Sequence, residues 1–488
     1  MVAVHSLVSL YIERERKDRI MEWKKSFKGE GCHNPLMTQR FGADPYALVY
    51  EGRVYIYMTG DVIERDEAGN IIENTYSIID TINVISSDDM VNWTDHGSIF
   101  ASSERGAAKW GRNSWAPAAA YKKIDGKDKF FLYFANSGNG IAVLTADSPV
   151  GPFTDPLQRP LISRETPNCA DVTWLFDPAV LMDDDGQAYI YVGGGIPDEQ
   201  SIALPQTARV AKLGADMISL DGDPITIDGV SYLFEDSGIN KINGTYYYSY
   251  CSNFSVPSDK VEELGFGCGE IITMKSDKPM GPFEMCGSVL KNPEHFFGLG
   301  SNNHHCMFEF AGKYYMAYHT RILEDAMGIS GGYRSTSIDE VTICDGVIKP
   351  IDATREGVSQ IKALDPYKVQ SAATMADMAG VQTIADTDGK MLVTGMENGS
   401  WIRVNGVDFG KEGAERFELA LGACHGEGRV LLYLDGLEQE TCIGHVDITE
   451  EDSTKTIKME LESKPVGVHD LYFGFVGNDY QIKEWFFN

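Results

Sequence analysis

Between Asp44 and Tyr318, one pattern of apolar and polar positions recurs five times. A polar residue opens an apolar run, a Gly-containing turn follows, and an aromatic run returns. The copies open at Asp44, Trp115, Asp177, Glu235 and His304. They turn at Glu51-Gly52, Asp125-Gly126, Asp185-Gly186, Asn243-Gly244 and Ala311-Gly312. They return through residues such as Tyr55 and Tyr57, Phe131 and Tyr133, Tyr189 and Tyr191, Tyr246 and Tyr248, and Tyr315 and Tyr318. Asp-Gly and Asn-Gly supply the positive φ angles of tight hairpins, and aromatic and β-branched residues suit a half-buried pleated surface. Each copy therefore predicts a hairpin.

The copies lie about 60–70 residues apart, room for about four strands of ~5–6 residues with their connections. Later strands are visible at residues 82–87, 141–146 and 271–275, and the last two lead into a shared Pro-x-Gly-Pro-Phe ending at residues 149–153 and 279–283. Five four-stranded units in radial array predict a five-bladed β-propeller. A sandwich lacks so long a repeat, and β-helix repeats are much shorter. In a propeller the first strand of each blade lines the central channel, so Asp44, Asp177, Glu235 and His304 should meet at one mouth.

The pattern ends near residue 350. From about Asp365, shorter alternating runs at residues 401–404, 416–419, 429–434, 456–461 and 469–475 predict a β-sandwich. The expected organisation is an extension at 1–21, a propeller at 22–350, a linker at 351–365 and a sandwich at 366–488. For residues 1–21 the alternatives are a short surface helix or translation starting at Met21. The overall expectation is all-β, a five-bladed β-propeller followed by a β-sandwich.

A formal net charge of −30 argues against nucleic acid and anionic membranes as partners and suits a neutral substrate such as a sugar. Nine cysteines, an odd number without zinc spacing, predict reduced thiols in a cytoplasmic protein. The apolar stretch 2–12 has no basic residues before it and runs into Glu13-Arg14-Glu15-Arg16-Lys17, unlike a secretory signal. Oligomeric state is not legible.

Three carboxylates converging with a histidine answer the needs of glycoside hydrolysis. One acid protonates the leaving oxygen, one carboxylate activates water or attacks, and a third tunes the acid. Trp93, Trp110, Trp115, Trp174 and Phe234 are candidate flat faces for sugar. Taken singly, Asp44-Pro45 and Asp177-Pro178 equally fit turns, and His304-His305 a buried core; their shared place in the repeat favours chemistry. A nucleophile elbow, a His-Glu-x-x-His zinc motif and a P-loop are missing from the sequence. Gly193-Gly194-Gly195 and Gly265-x-Gly267-x-Gly269 read as turns.

Ala43-Asp44-Pro45, Trp115-Ala116-Pro117, Phe176-Asp177-Pro178-Ala179, Glu235 and Asn303-His304 resemble glycoside hydrolase family 43 over about residues 30–350. The resemblance implies an inverting propeller enzyme acting on arabinosides and xylosides. It implies Asp44 as general base, Glu235 as general acid and Asp177 as the residue that tunes and orients that acid. It also implies calcium in the channel, held through a histidine and waters; His304 matches that place, with His305 adjacent. Arg321 matches an arginine beside the acids. The first blade, with Asp89-Met90-Val91-Asn92-Trp93, looks most like arabinoxylan-acting arabinofuranosidases, often followed by a family 6 carbohydrate-binding module. Residues 399–404, 444–446, 467–472 and 482–487 are similar to that module, but Gln481 replaces the usual asparagine. A domain that packs rather than binds sugar is expected. The resulting expectation is an exo-acting α-L-arabinofuranosidase working on arabinose- and xylose-containing oligosaccharides in xylan degradation. The alternatives are a β-xylosidase or dual-specificity enzyme, and a non-catalytic glycan-binding propeller; an endo-arabinanase is less favoured.

Overall fold

The computed structural model describes residues 22–488; the expectations for residues 1–21 lie outside the described residues. The protein is all-β and divides into two compact units, Phe27–Lys362 and residues 22–26 with Ala363–Asn488. Among the described residues no helix is long and apolar enough to cross a membrane. All nine cysteines are free thiols.

The larger unit holds five consecutive antiparallel sheets. The first is β1 (Ala43–Tyr50), β2 (Arg53–Thr59), β3 (Thr81–Ser87) and β4 (Trp93–Phe100). The second is β5 (Trp115–Ile124), β6 (Lys127–Ala135), β7 (Gly140–Ala146) and β8 (Ile162–Ser163). The third is β9 (Ala179–Met182), β10 (Ala188–Val192), β11 (Arg209–Lys212) and β12 (Ile225–Thr226). The fourth is β13 (Leu233–Ile242), β14 (Thr245–Ser252), β15 (Ile271–Ser276) and β16 (Glu284–Leu290). The fifth is β17 (His305–Phe310), β18 (Lys313–Thr320) and β19 (Ser335–Val341). Of the five turns that join the first two strands of each sheet, four carry positive φ at both central positions: Glu51-Gly52, Asp125-Gly126, Asn243-Gly244 and Ala311-Gly312. These turn angles match the twist of the flanking strands.

Each sheet packs on the next through its own apolar layer. Tyr57 and Val84 of the first meet Phe130 and Leu132 of the second, and Tyr133 and Val143 of the second meet Ile190 and Val192 of the third. Tyr191 and Val210 meet Tyr248 and Ile272, and Tyr247 and Ile271 meet Met316 and Tyr318. The last layer joins Phe308, Tyr315 and Ile338 of the fifth sheet to Val54, Ile56 and Ile85 of the first. Each such side chain contributes roughly 1.5–3 kcal/mol when fully buried. The shared Pro-x-Gly-Pro-Phe ending has a visible use. Tyr57 donates to the Pro149 carbonyl at 2.6 Å and Tyr191 to the Pro279 carbonyl at 2.5 Å. In both cases a tyrosine of one sheet latches the turn of the next.

The fifth sheet departs from the expected four strands. It has three, and the chain ahead of β1 fills the remaining place. The Leu36 amide donates to the Thr336 carbonyl at 2.8 Å and the Gly42 amide to the Arg334 carbonyl at 3.0 Å. Asn34 exchanges bonds with both the amide and the carbonyl of Ile338.

In the smaller unit, one sheet orders Gln382–Ala385, Met391–Thr394, Tyr480–Phe487, Arg416–Cys424 and Thr456–Glu460, with Gln370–Ser371 also pairing on Tyr480–Phe487. The other orders Asp377–Ala379, Ser400–Asp408, Val468–Gly477, Gly428–Leu434 and Cys442–Ile448. One core serves both, with Phe417, Ile482 and Trp485 from the first and Ile402, Leu432 and Phe473 from the second. The Gln481 side chain accepts the Ala423 amide at 3.1 Å, so it is tied to its own sheet.

Candidate active site

Four of the five sheets share a kink in or just before their first strand. Asp44, Ala116, Asp177 and Asp236 all take φ between +40° and +68°, and bulges interrupt the pairing of β1, β5 and β13 at these places. A positive φ is costly for a side chain other than glycine, and bulges re-aim side chains beside active sites. The kink turns Asp44 and Asp177 inward. In the second sheet Ala116 takes that place without chemistry. In the fourth, Asp236 occupies it, and Glu235 enters from one position earlier.

Asp44, Asp177, Glu235 and His304 line one cavity of about 430 Å³. The ring nitrogen His304 Nδ1 is 3.6 Å from Asp44 Oδ1 and 3.7 Å from Asp177 Oδ2. The Asp236 amide donates to Asp177 Oδ2 at 3.0 Å. Asn302 Nδ2 donates to Glu235 Oε1 at 2.7 Å.

Charge separates these acids. Burial alone would raise the Asp44 pKa, but the Arg334 charge, His319 and His304 outweigh it and hold Asp44 well below the usual carboxylate range. Arg334 Nη1 donates to Asp44 Oδ1 at 2.9 Å while its Nε and Nη2 bind Asp61. Glu235 moves the other way: burial first, then the Asp44 charge, push it up to about 8. Burial, Glu235 and Asp44 likewise raise Asp177. Asp44 is therefore ionised at neutral pH while the Glu235–Asp177 pair retains a proton. His304, buried among these groups, has its pKa lowered by desolvation.

The other expected residues divide. Trp115, Phe234 and Arg321 line the cavity. Trp174 stands behind it, edge-on to Phe234 at 5.2 Å. Trp93 is a correction: it is 3% exposed and packs in the core between the fifth and first sheets. Asp89 accepts the Val91 and Asn92 amides, and β4 then buries alternate positions beginning with Trp93. Trp110 spends its indole N–H on Asp155 at 2.7 Å. Arg321 does not bind Asp44, Asp177 or Glu235; its guanidinium grips Glu324 and the Gly300 carbonyl. The arginine beside the base is Arg334. His305 faces away, with Nδ1 2.5 Å from Asp236 Oδ2 and Nε2 2.7 Å from Ser249 Oγ.

Sequence reasoning missed Arg334, His319, Asn302, Tyr76 and Phe254, all near or lining the cavity. Tyr76 lies under the Arg334 guanidinium at 4.9 Å, and Phe254 meets Phe234 edge-on at 5.3 Å. It also misread Gly193-Gly194-Gly195, which did carry a signal. This run threads between neighbours: a Cβ on Gly194 would lie 2.5 Å from the Phe234 carbonyl and 2.8 Å from the Phe176 ring. Its absence lets the backbone brace the residues just before Glu235.

An ionised base, a protonated acid and aromatic faces in one cavity are the equipment of an enzyme that cleaves glycosidic bonds. The chain belongs to glycosyl hydrolases family 43, whose profile matches residues 32–348; a profile of carbohydrate-binding module family 6 matches residues 371–488. It is 48% identical to an arabinoxylan arabinofuranohydrolase of Paenibacillus polymyxa, covering 92% of this chain and 72% of that one. It is 45% identical to an arabinoxylan arabinofuranohydrolase of Bacillus subtilis, covering 92% and 90%. A solved structure of a Bacillus subtilis arabinoxylan arabinofuranohydrolase in complex with cellotetraose superposes with a TM-score of 0.90 at 43% identity, covering 95% of this chain and 99% of that one.

Proposed function

We propose that the protein is an inverting, exo-acting α-L-arabinofuranosidase that removes arabinofuranosyl side chains from arabinoxylan-derived oligosaccharides. The ring of five sheets is then a five-bladed β-propeller, and the smaller unit a β-sandwich related to family 6 carbohydrate-binding modules. The observation that carries the activity is a pair of buried carboxyl groups in one cavity, Asp44 bound by the Arg334 guanidinium and Glu235 by the neutral amide of Asn302. Asp44, kept ionised by Arg334, takes a proton from water as that water attacks the anomeric carbon. Glu235 gives its proton to the departing glycosidic oxygen. Asp177, bound by the Asp236 amide, orients and tunes the acid. Trp115 and Phe234 offer apolar faces to the sugar. The names of the two similar curated proteins support arabinoxylan as the source of substrate.

A calcium or other hard cation beside His304 belongs to the same proposal. Among the described residues no cluster of three metal-binding side chains exists. One feature fits a cation: Asp236 Oδ1 is buried, accepts no hydrogen bond and lies 3.2 Å from His304 Nε2. Hard cations favour oxygen, so Asp236 and His304 would hold the ion with water completing its shell. His304 fits this place better than His305, whose two ring nitrogens already bind Asp236 and Ser249. A bound cation would supply positive charge beside the carboxylates.

The test is incubation with nitrophenyl α-L-arabinofuranoside, nitrophenyl β-D-xyloside and arabinoxylan oligosaccharides, following the first-formed anomer by NMR. Arabinose released as the β-anomer is expected. Xylose release alone would mean a β-xylosidase, and a retained anomer would mean that a carboxylate attacks directly.

A further inference from the structure

Asn302 touches both halves of the catalytic apparatus. Its side-chain amide donates to Glu235 Oε1 at 2.7 Å. Its main-chain carbonyl, which can only accept, takes the Nε2 proton of His319 at 2.9 Å. The other ring nitrogen, His319 Nδ1, lies 3.2 Å from the Asp44 amide nitrogen and 3.1 Å from Asp44 Oδ1. It accepts from the amide when the ring is neutral and donates to the carboxylate when the ring is charged. The His319 side chain is 0% exposed. Both neighbours of Asn302 are pinned: Asn292 binds the Ser301 carbonyl at 2.8 Å, and the Asn303 amide binds the carbonyls of Gly269 and Lys291, each at 3.2 Å.

We propose that Asn302 and His319 are positioning residues, a strut from Glu235 to Asp44 that fixes the two carboxyl groups relative to each other and selects which oxygen of Glu235 delivers the proton. The inference rests on the acid and base roles given above. An amide N–H aimed at Oε1 makes that oxygen an acceptor, so the carboxyl proton resides on Oε2. In the reaction the Oε2–H bond breaks, the proton joins the glycosidic oxygen, and the electron pair stays on the carboxylate. The Asn302 bond then becomes charge-assisted and strengthens. An interaction that grows as the transition state forms raises kcat rather than lowering KM.

The test uses Asn302→Ala and Asn302→Leu, the latter keeping a similar branched shape without the donor, with thermal melts to verify folding. On arabinoxylan oligosaccharides kcat should fall on the order of 10²-fold with KM nearly unchanged. On nitrophenyl arabinofuranoside, whose leaving group departs without a proton, the loss should be clearly smaller. His319→Gln, which also loosens Asp44, should harm both substrates alike. Equal losses on both substrates in the folded Asn302 variants, a rise in KM with kcat preserved, or full activity would each overturn the strut. If Glu235→Ala also fails to discriminate between leaving groups, the acid assignment itself is wrong. If Glu235→Ala discriminates and the Asn302 variants do not, the strut alone fails.

Discussion

Asp44 and Glu235 are almost equally hidden, 5% and 7% exposed, yet they hold opposite protonation states. Burial pushes both toward the neutral form. The difference comes from what each faces. Asp44 is bound directly by the Arg334 guanidinium and faces two imidazoles; Glu235 meets the charges of Asp44 and Asp236 and a neutral amide, and the pull of Arg334 on it is outweighed by burial and Asp44. On the proposed roles, the fold makes a base and an acid from the same functional group by choosing neighbours rather than depth.

The comparison breaks most severely at Asp44. Asp44→Ala removes water activation, which every substrate needs, and kcat/KM should fall about 10³–10⁴-fold on aryl arabinofuranoside and oligosaccharide alike. Glu235→Ala should cost roughly 10²–10⁴-fold on oligosaccharides and much less on the nitrophenyl substrate. Parallel losses there, or a spared aryl substrate in Asp44→Ala, would reverse the two roles. Asp177→Asn takes away one partner of the proton-sharing pair. Its pH–rate profile should show the alkaline limb displaced downward, and an unmoved limb would separate Asp177 from the tuning of the acid. The smallest effect concerns stability. Glu235 has its folded pKa raised to about 8 from 4.5, so its contribution is fully present below pH 4.5 and is lost as pH rises through 8. Glu235→Gln, always neutral, escapes that loss. Its melting temperature should gain on wild type progressively between pH 5 and 8, by roughly 1–2 °C per kcal/mol recovered for a unit of this size.

The repeat was legible because hairpin turns demand particular residues, and Asn243-Gly244 or Asp125-Gly126 announces such a turn without any tertiary context. Asp44 and Asp177 were legible for the same reason, since Asp-Pro marks the kinked start of a first strand. Glu235 was found one position off the kink, where Asp236 sits. Trp93 failed because a tryptophan at the start of an alternating strand reads alike whether its face meets sugar or core. Arg321 lines the cavity as expected, but Glu324, three residues on, holds its guanidinium away from Asp44 and Glu235. Arg334 lies 290 residues from the aspartate it serves, and no local pattern encodes that distance. The segment beside β19 escaped notice because residues 34–42 carry no repeat signature and form no regular strand; their pairing is set only by how the fifth sheet meets the first.

That borrowed segment sets a timetable. Asn34 waits for Ile338, 304 residues later in the chain. At a synthesis rate of 5–20 residues per second, the opening segment spends on the order of 15–60 s without its partner. The same late arrival brings Arg334 to Asp44. A nascent or truncated chain lacking the fifth sheet would therefore hold its base without the cation that keeps it ionised, so that closing the ring and arming the catalyst are one event.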